Sequence, residues 1–271
     1  MVILSIGAHP DDSEFRATGT IIKLCRKGAE AYLMSISDGS AGHFSMDREA
    51  LAARRAEEAA SAAAVIGGHS LILGIPDGSI TPSVENREKL IRAIRKIQPD
   101  IIFTNRTNDY HPDHRYASEL VQDASYMLMV PNVCPDTPAM RYVPMILEWG
   151  DQFLRPRPFS PDIAVGIDDV LDEKLEMLSM HESQLYEWLP WVDGNLDMVP
   201  PPSDRNGRMD FARFMYRRRP NHAFSARFRD KLTALYGDEK GNSVIEAEAF
   251  EISEYGYRPS AEELMHFTEA L

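Results

Sequence analysis

Cysteine is scarce: Cys25 and Cys134 are the only two in 271 residues, with no Cys-x-x-Cys pair. That excludes a disulfide-stapled scaffold and a cysteine-ligated zinc module. Positive charge is short as well. The formal net charge of −13 opposes the broad basic face that phosphate-backbone binding needs, so no nucleic-acid partner is expected. No apolar run approaches the roughly 20 residues that span a bilayer, so no membrane is expected either. The chain opens Met1-Val2-Ile3-Leu4-Ser5-Ile6, without the basic flank and small-residue cleavage site of a secretory leader, and reads as a cytoplasmic protein. Internal repeats and low-complexity tracts are lacking too, and residues 1–271 are expected to fold as a single domain.

What is present is an alternation of short apolar runs with longer amphipathic stretches, the pattern of a parallel sheet covered by helices. The expected fold is α/β, a Rossmann-like three-layer arrangement with a mostly parallel central sheet of strand order 3-2-1-4-5 at its core. Strands read at 2–7, 31–37, 70–75 and 101–104, with two more at 145–149 and 162–167. Helices read at 18–27, 47–66, from the N-cap Ser83 to 98, and 115–129. Asp168 is expected to cap a helix running to His181, followed late in the chain by a helix at 225–236, a strand at 244–252 and a polar tail. Residues 186–221 mix aromatics, prolines and arginines without a clean period over more than an ordinary connection. That stretch reads as a lid or an oligomer contact, which makes a homo-oligomer an expected assembly.

Two turns carry the chemistry. Gly7-Ala8-His9-Pro10-Asp11-Asp12 follows the first strand, and His111-Pro112-Asp113-His114 follows the fourth. Ligands collect beyond the carboxyl ends of strands where a doubly wound sheet reverses its order, and strands one and four flank that point. His9, Asp12 and His114 can supply the imidazoles and carboxylate that zinc prefers while leaving a position for water. Asp11, His111 and Asp113 then stay uncommitted, and spare acid–base groups beside a metal point to a hydrolase. Pro10 and Pro112 stiffen both turns.

On these segments the chain resembles the LmbE-like, or PIG-L, family of zinc-dependent de-N-acetylases. The Ala8 to Asp12 and His111 to His114 segments match its signatures. Further similar pieces are Arg55, Glu58 and Ala62 on the alanine-rich helix, Pro76-Asp77-Gly78, His181-Glu182-Ser183-Gln184 and Glu246-Ala247-Glu248-Ala249-Phe250. The resemblance implies one Zn²⁺ per chain held by His9, Asp12 and His114, with Asp11 as general base. It also implies a small-molecule substrate, an N-acetylated amino sugar such as an N-acetylglucosamine derivative or related glycoside. Fe²⁺ or another divalent ion suits the same donors. Protonated His111 is expected to share the charge of the tetrahedral intermediate, oriented by Asp113.

Other residues carry two readings each. Arg16 stands where smaller residues are common in the family and either narrows the pocket or meets substrate, and Glu14 takes an acidic supporting role. Arg55 reaches a sugar hydroxyl or forms a salt bridge; Asp77 binds hydroxyls from the rim or simply closes a turn. His43 closes over the pocket or lies exposed, and Trp188 and Trp191 stack on a sugar or meet another subunit. His181 caps its helix or supports the site. The arginines at 213, 217, 218, 219, 227 and 229 receive a phosphate or carboxylate or form a solvated face. Against the deacetylase stand a metal-dependent phosphohydrolase, which usually needs more carboxylates to bridge two metals, and a non-catalytic metal- or sugar-binding protein, which needs neither Asp11 nor His111.

Overall fold

A computed structural model describes residues 1–219, 223–269 and 271. In chain order the elements are β1 (Val2–Gly7), α1 (Asp12–Arg16), α2 (Thr18–Arg26), β2 (Glu30–Ser37), α3 (Arg48–Val65), β3 (His69–Ile75), α4 (Val84–Ile97), β4 (Ile101–Thr104), α5 (Pro112–Met127) and β5 (Met145–Trp149). There follow β6 (Ile163–Gly166), α6 (Leu171–Met180), a π-helical stretch (Ser183–Trp188), α7 (Leu189–Asp193), α8 (Arg205–Arg217), α9 (Phe224–Arg227), α10 (Arg229–Tyr236), α11 (Asp238–Ser243), β7 (Ala247–Ile252) and α12 (Ala261–Glu269).

The sheet order is β3-β2-β1-β4-β5-β7-β6, so the expected 3-2-1-4-5 core is present and three-layered. β1 to β5 pair in parallel, and β7 joins antiparallel to both β5 and β6. Because side chains alternate across a strand, Ile3, Leu33, Phe103 and Leu147 face α2, α6 and α8. Leu4, Ile6, Met34, Ile102 and Ile146 face α4 and α5. A smaller apolar cluster lies under α9 and α10, built on Phe224, Phe228 and Leu232.

Capping residues set the helix starts. Asp47 accepts from Ala50 N at 2.9 Å and Ser83 from Asn86 N at 3.2 Å. α5 starts at Pro112 rather than at 115, because proline is suited to the first helical turn and His111 serves as its N-cap. Asp168 does not cap α6: its carboxylate accepts from Ile245 N and Glu246 N at 3.1 and 3.0 Å, tying in the approach to β7. The helix expected at 225–236 breaks at Phe228, whose φ of −121° lets its ring drop into the third cluster. The final strand starts at Ala247, and the polar tail contains α12.

The 186–221 stretch is largely helical. Its period was hidden because a π-helix repeats i→i+5, and because α8 buries only Phe211, Ala212, Met215 and Tyr216 amid arginines. Pro220 and Asn221, at its end, lie outside the described residues. No described helix is long and apolar enough to cross a membrane.

Candidate active site

Parallel pairing of β1 with β4, with Ile6 opposite Thr104, opens both histidine turns at the same sheet edge. The first turn doubles back so tightly that a Cβ on Gly7 would lie 2.6 Å from the Cβ of Asp12. Asp12 Oδ2 accepts from Ala8 N at 2.8 Å and His9 N at 3.0 Å, which pins the turn. Between them Asp11 adopts φ 127°, a conformation that L side chains rarely enter. Strain of that kind costs about 1–3 kcal/mol and gathers at functional sites.

His9 Nδ1 lies 3.2 Å from His114 Nε2. Asp12 approaches the same two atoms at 3.8 and 3.5 Å. Donors about 2.0–2.1 Å from a tetrahedral ion lie about 3.3 Å from one another, so the separations suit a shared cation. His111 also enters this group, its ring 4.8 Å from that of His9 and 5.0 Å from that of His114. The outward nitrogens face carboxylates. His9 Nε2 is 3.2 Å from Asp77 and 3.5 Å from Asp113, and His114 Nδ1 is 3.0 Å from Asp109, a bent contact. A carboxylate behind a ligating imidazole fixes its tautomer and directs the other lone pair to the metal.

Burial disfavours charge on His9, but hydrogen bonds to Asp113 and Asp77 and the charges of Asp12 and Asp77 outweigh it, pushing its pKa up to about 10. Burial would likewise raise Asp12, yet His114 and His9 hold it below the usual carboxylate range. For Asp11 burial wins: with the charge of Asp12 it overcomes Arg55, His181 and His9 and pushes the carboxyl up to about 6. His111 is lowered, by burial first and then by the charges of His9 and His114.

These placements revise several roles. The Asp113 carboxylate does not orient the His111 side chain; it accepts from Gly78 N at 2.8 Å and Ile80 N at 3.3 Å and stands behind His9. Instead the Asp113 backbone N–H donates to His111 Nδ1 at 3.2 Å. The neutral ring therefore carries its proton on Nε2 and needs no positive charge to act as a donor. Asp77 is committed to His9 and to Ala41 N, 3.0 Å away, rather than reaching out from the rim. Arg55 is buried, donating to Pro10 O at 2.5 Å and Gly39 O at 3.0 Å with Asp11 at 3.4 Å, so it braces the strained turn. At Gly39, φ +66°, a Cβ would meet the Arg55 guanidinium at 2.7 Å.

His43 stays out of the cavity wall; its Nε2 pairs with Glu187 at 2.8 Å and its Nδ1 accepts from Ser45 N and Met46 N. His181 ends α6 and lies 3.1 Å from the buried Glu14, beside Asp11. Arg16 donates to Gly150 O at 3.2 Å and does line the cavity.

That cavity, about 730 Å³, contains His9, Asp11, Asp12, His111 and His114, with Trp188 and Gln184 contributed by the π-helical stretch. Trp191 stacks on Trp188 and Phe44 and is half exposed. Sequence reading missed Asp109, although a polar run directly after a strand is where such a partner sits. It also missed Tyr110 and Asp151, which no local pattern marks, whereas Gln184 ends the His181-Glu182-Ser183-Gln184 segment on which the family resemblance partly rests.

A sequence profile of the PIG-L family, described as GlcNAc-PI de-N-acetylase, matches residues 4–125. A diacetylchitobiose deacetylase of Thermococcus kodakarensis is 31% identical over 199 residues, covering 70% of this chain and 73% of the relative. Among solved structures, an N,N'-diacetylchitobiose deacetylase from Pyrococcus horikoshii in complex with its inhibitor MPG superposes with a TM-score of 0.70 at 23% identity, covering 96% of this chain and 88% of that one. A 4-carboxy-2-hydroxymuconate hydratase from Pseudomonas putida also gives 0.70, at 17% identity, covering 96% and 98%. The last two are likenesses of fold, and their different reactions show that the fold alone does not name the chemistry.

Proposed function

Because the chain belongs to the PIG-L family of de-N-acetylases, we propose that it is a metal-dependent hydrolase that removes an N-acetyl group from an amino-sugar-containing small molecule, an N-acetylglucosamine derivative or related glycoside. The observation that carries this reading is Asp11. It is a strained, buried carboxyl raised to about 6, next in sequence to Asp12 and lining the same cavity as the two imidazoles whose outward nitrogens face carboxylates. Metal binding alone requires no such neighbour.

His9, Asp12 and His114 are the residues we assign to the ion, Zn²⁺ by the preference of this donor set, with Fe²⁺ or another divalent ion also suited to it. When bound there, the ion supplies Lewis acidity that makes water a better nucleophile and the amide carbonyl a better electrophile near neutral pH. Asp11 takes the proton that water loses as its oxygen bonds to the carbonyl carbon. The Nε2–H of neutral His111 donates to the developing oxyanion. Asp11 then returns its proton to the departing amine as the C–N bond breaks, leaving acetate and the free amino sugar. Arg55 keeps Asp11 in place throughout by its hold on Pro10 O and Gly39 O. Asp77 and Asp113 stand behind His9, a placement that favours a single ion over the two-metal phosphohydrolase reading.

Acetate release from N-acetylglucosamine glycosides tests this, with Asp11→Asn beside the parent. A loss of about 10²–10⁴ in kcat with metal content retained is expected for removal of a general base. Equal turnover by the variant, or metal binding without turnover in the parent, overturns it.

A further inference from the structure

Arg218 and Arg219, just past the last turn of α8, share the cavity wall with Arg16, Arg55 and the histidines. Glu14 and His181 do not line that cavity, yet they are buried beside the carboxyl assigned as general base, at 3% and 1% exposure. Asp11 is the N-cap residue of α1, but its side chain makes no capping hydrogen bond. Its direction is therefore left to the cations around it. One is Arg55, 3.4 Å away and tied to Pro10 O and Gly39 O. The other is His181, whose charge acts on Asp11.

Two basic side chains from α6 and its C-cap grip α1. Lys174 and His181 are seven positions apart, about two helical turns, and so share a face. Lys174 Nζ donates to Phe15 O at 3.1 Å and pairs with Glu248 at 2.6 Å, an acid that also accepts from Gly19 N and Thr20 N at the start of α2. His181 Nε2 lies 3.1 Å from Glu14 Oε1 in a bent contact, and neither ring nitrogen completes a hydrogen bond among the described residues. Burial opposes charge on this imidazole, but Glu14 and then Asp11 outweigh it and raise its pKa. Two positions further on, Ser183 N and Oγ donate to Glu58 at 2.9 and 2.6 Å. That clamp fixes the main chain beside His181 to α3, the helix that also supplies Arg55.

A buried polar side chain without a completed hydrogen bond needs a reason to be kept, and in a water-poor interior its charge acts strongly on its neighbours. We propose that His181, paired with Glu14, is a positioning residue for Asp11: a cation fixed between α1 and α6 that aims the Asp11 carboxyl at the water the reaction consumes. It acts through Asp11 and touches neither substrate nor metal. Arg55 braces the main chain of the turn through Pro10 O and Gly39 O, whereas His181 acts on the side chain. This rests on the reading of Asp11 as general base and deepens it.

Acetate release from methyl N-acetylglucosaminide by the metal-loaded enzyme tests it. His181→Gln removes the cation, and Glu14→Gln removes its partner's charge with little change of shape. Each should lower kcat by about tenfold, as for a modest misplacement of a reacting group, with KM and metal content unchanged. In the Asp11→Asn background, His181→Gln should change the residual kcat by less than about twofold, because the residue it serves is already lost. Partial misfolding would instead lower kcat by the same factor in both backgrounds, and a merely structural brace of the metal turn would lower metal content. Either result overturns the proposal, as does an unchanged kcat in both single variants. A parent that releases no acetate overturns the deacetylase reading itself.

Discussion

Replacing Glu148 with glutamine isolates the free energy of one misplaced charge. Glu148 lies in β5, 7% exposed, directly opposite Glu251 in the antiparallel pair with β7. Like charges at facing positions repel, and Glu251 holds the nearby cations: Arg106 Nε at 3.2 Å and Arg157 Nη2 at 3.0 Å. Glu148 is left with the amide of Gln122 at 2.8 Å. Burial first, then Glu251, pushes its carboxyl from 4.5 to about 7. Below pH 4.5 both folded and unfolded chains carry the proton. Between 4.5 and about 7 the unfolded chain has released it and the folded chain has not, so the folded state binds more protons and stability falls as pH rises. At about 1.4 kcal/mol per pH unit the full window is worth on the order of 3 kcal/mol. Glutamine keeps the shape and still accepts from Gln122, so Glu148→Gln should be more stable than the parent by about 1–3 kcal/mol at pH 8 and equal to it at pH 4. Urea unfolding of both proteins at the two pH values measures this, with every other titration common to the pair and cancelling. A stability difference that is the same at both pH values, or a glutamine variant weaker at pH 8, refutes the account of Glu148.

Asp77→Asn removes the charge behind His9 Nε2 while retaining an oxygen for Ala41 N, and should weaken metal affinity by about 10- to 100-fold with the fold intact; competition with a chelating dye reads it, and unchanged affinity would detach Asp77 from the metal. For His111→Ala the expected loss is about 10²–10³ in kcat with little change in KM, as for removal of an oxyanion donor. Loss of metal content instead would place His111 among the ligands.

Much of this was legible in one chain because it is local. β1 and β4 are short apolar runs ending in polar turns, and α3 and α4 have N-caps and apolar stripes that neighbours in sequence define. The pairing of the two histidine turns followed from a topological rule rather than from any residue. The π-helical stretch was illegible because its repeat matches neither the helical nor the strand period. The Asp113 carboxylate, expected to orient His111, shows what the sequence leaves open. It turns instead to Gly78, Ile80 and His9, partners 35, 33 and 104 positions away along the chain.

The sequence by itself determined the alternation of strands and helices as far as β6, the central strand order, the kinds of donor available and the turns that present them, since these follow from period, capping and backbone restriction within a few residues. Only the tertiary structure decided which carboxylate stands behind which imidazole, that Arg55 braces Asp11 and that His43 points away. It also decided that arginines beyond α8 share a wall with histidines from β1 and β4. Those are long-range juxtapositions, set by how helices and loops pack on the sheet, and charge and burial acquire their values only once that packing exists.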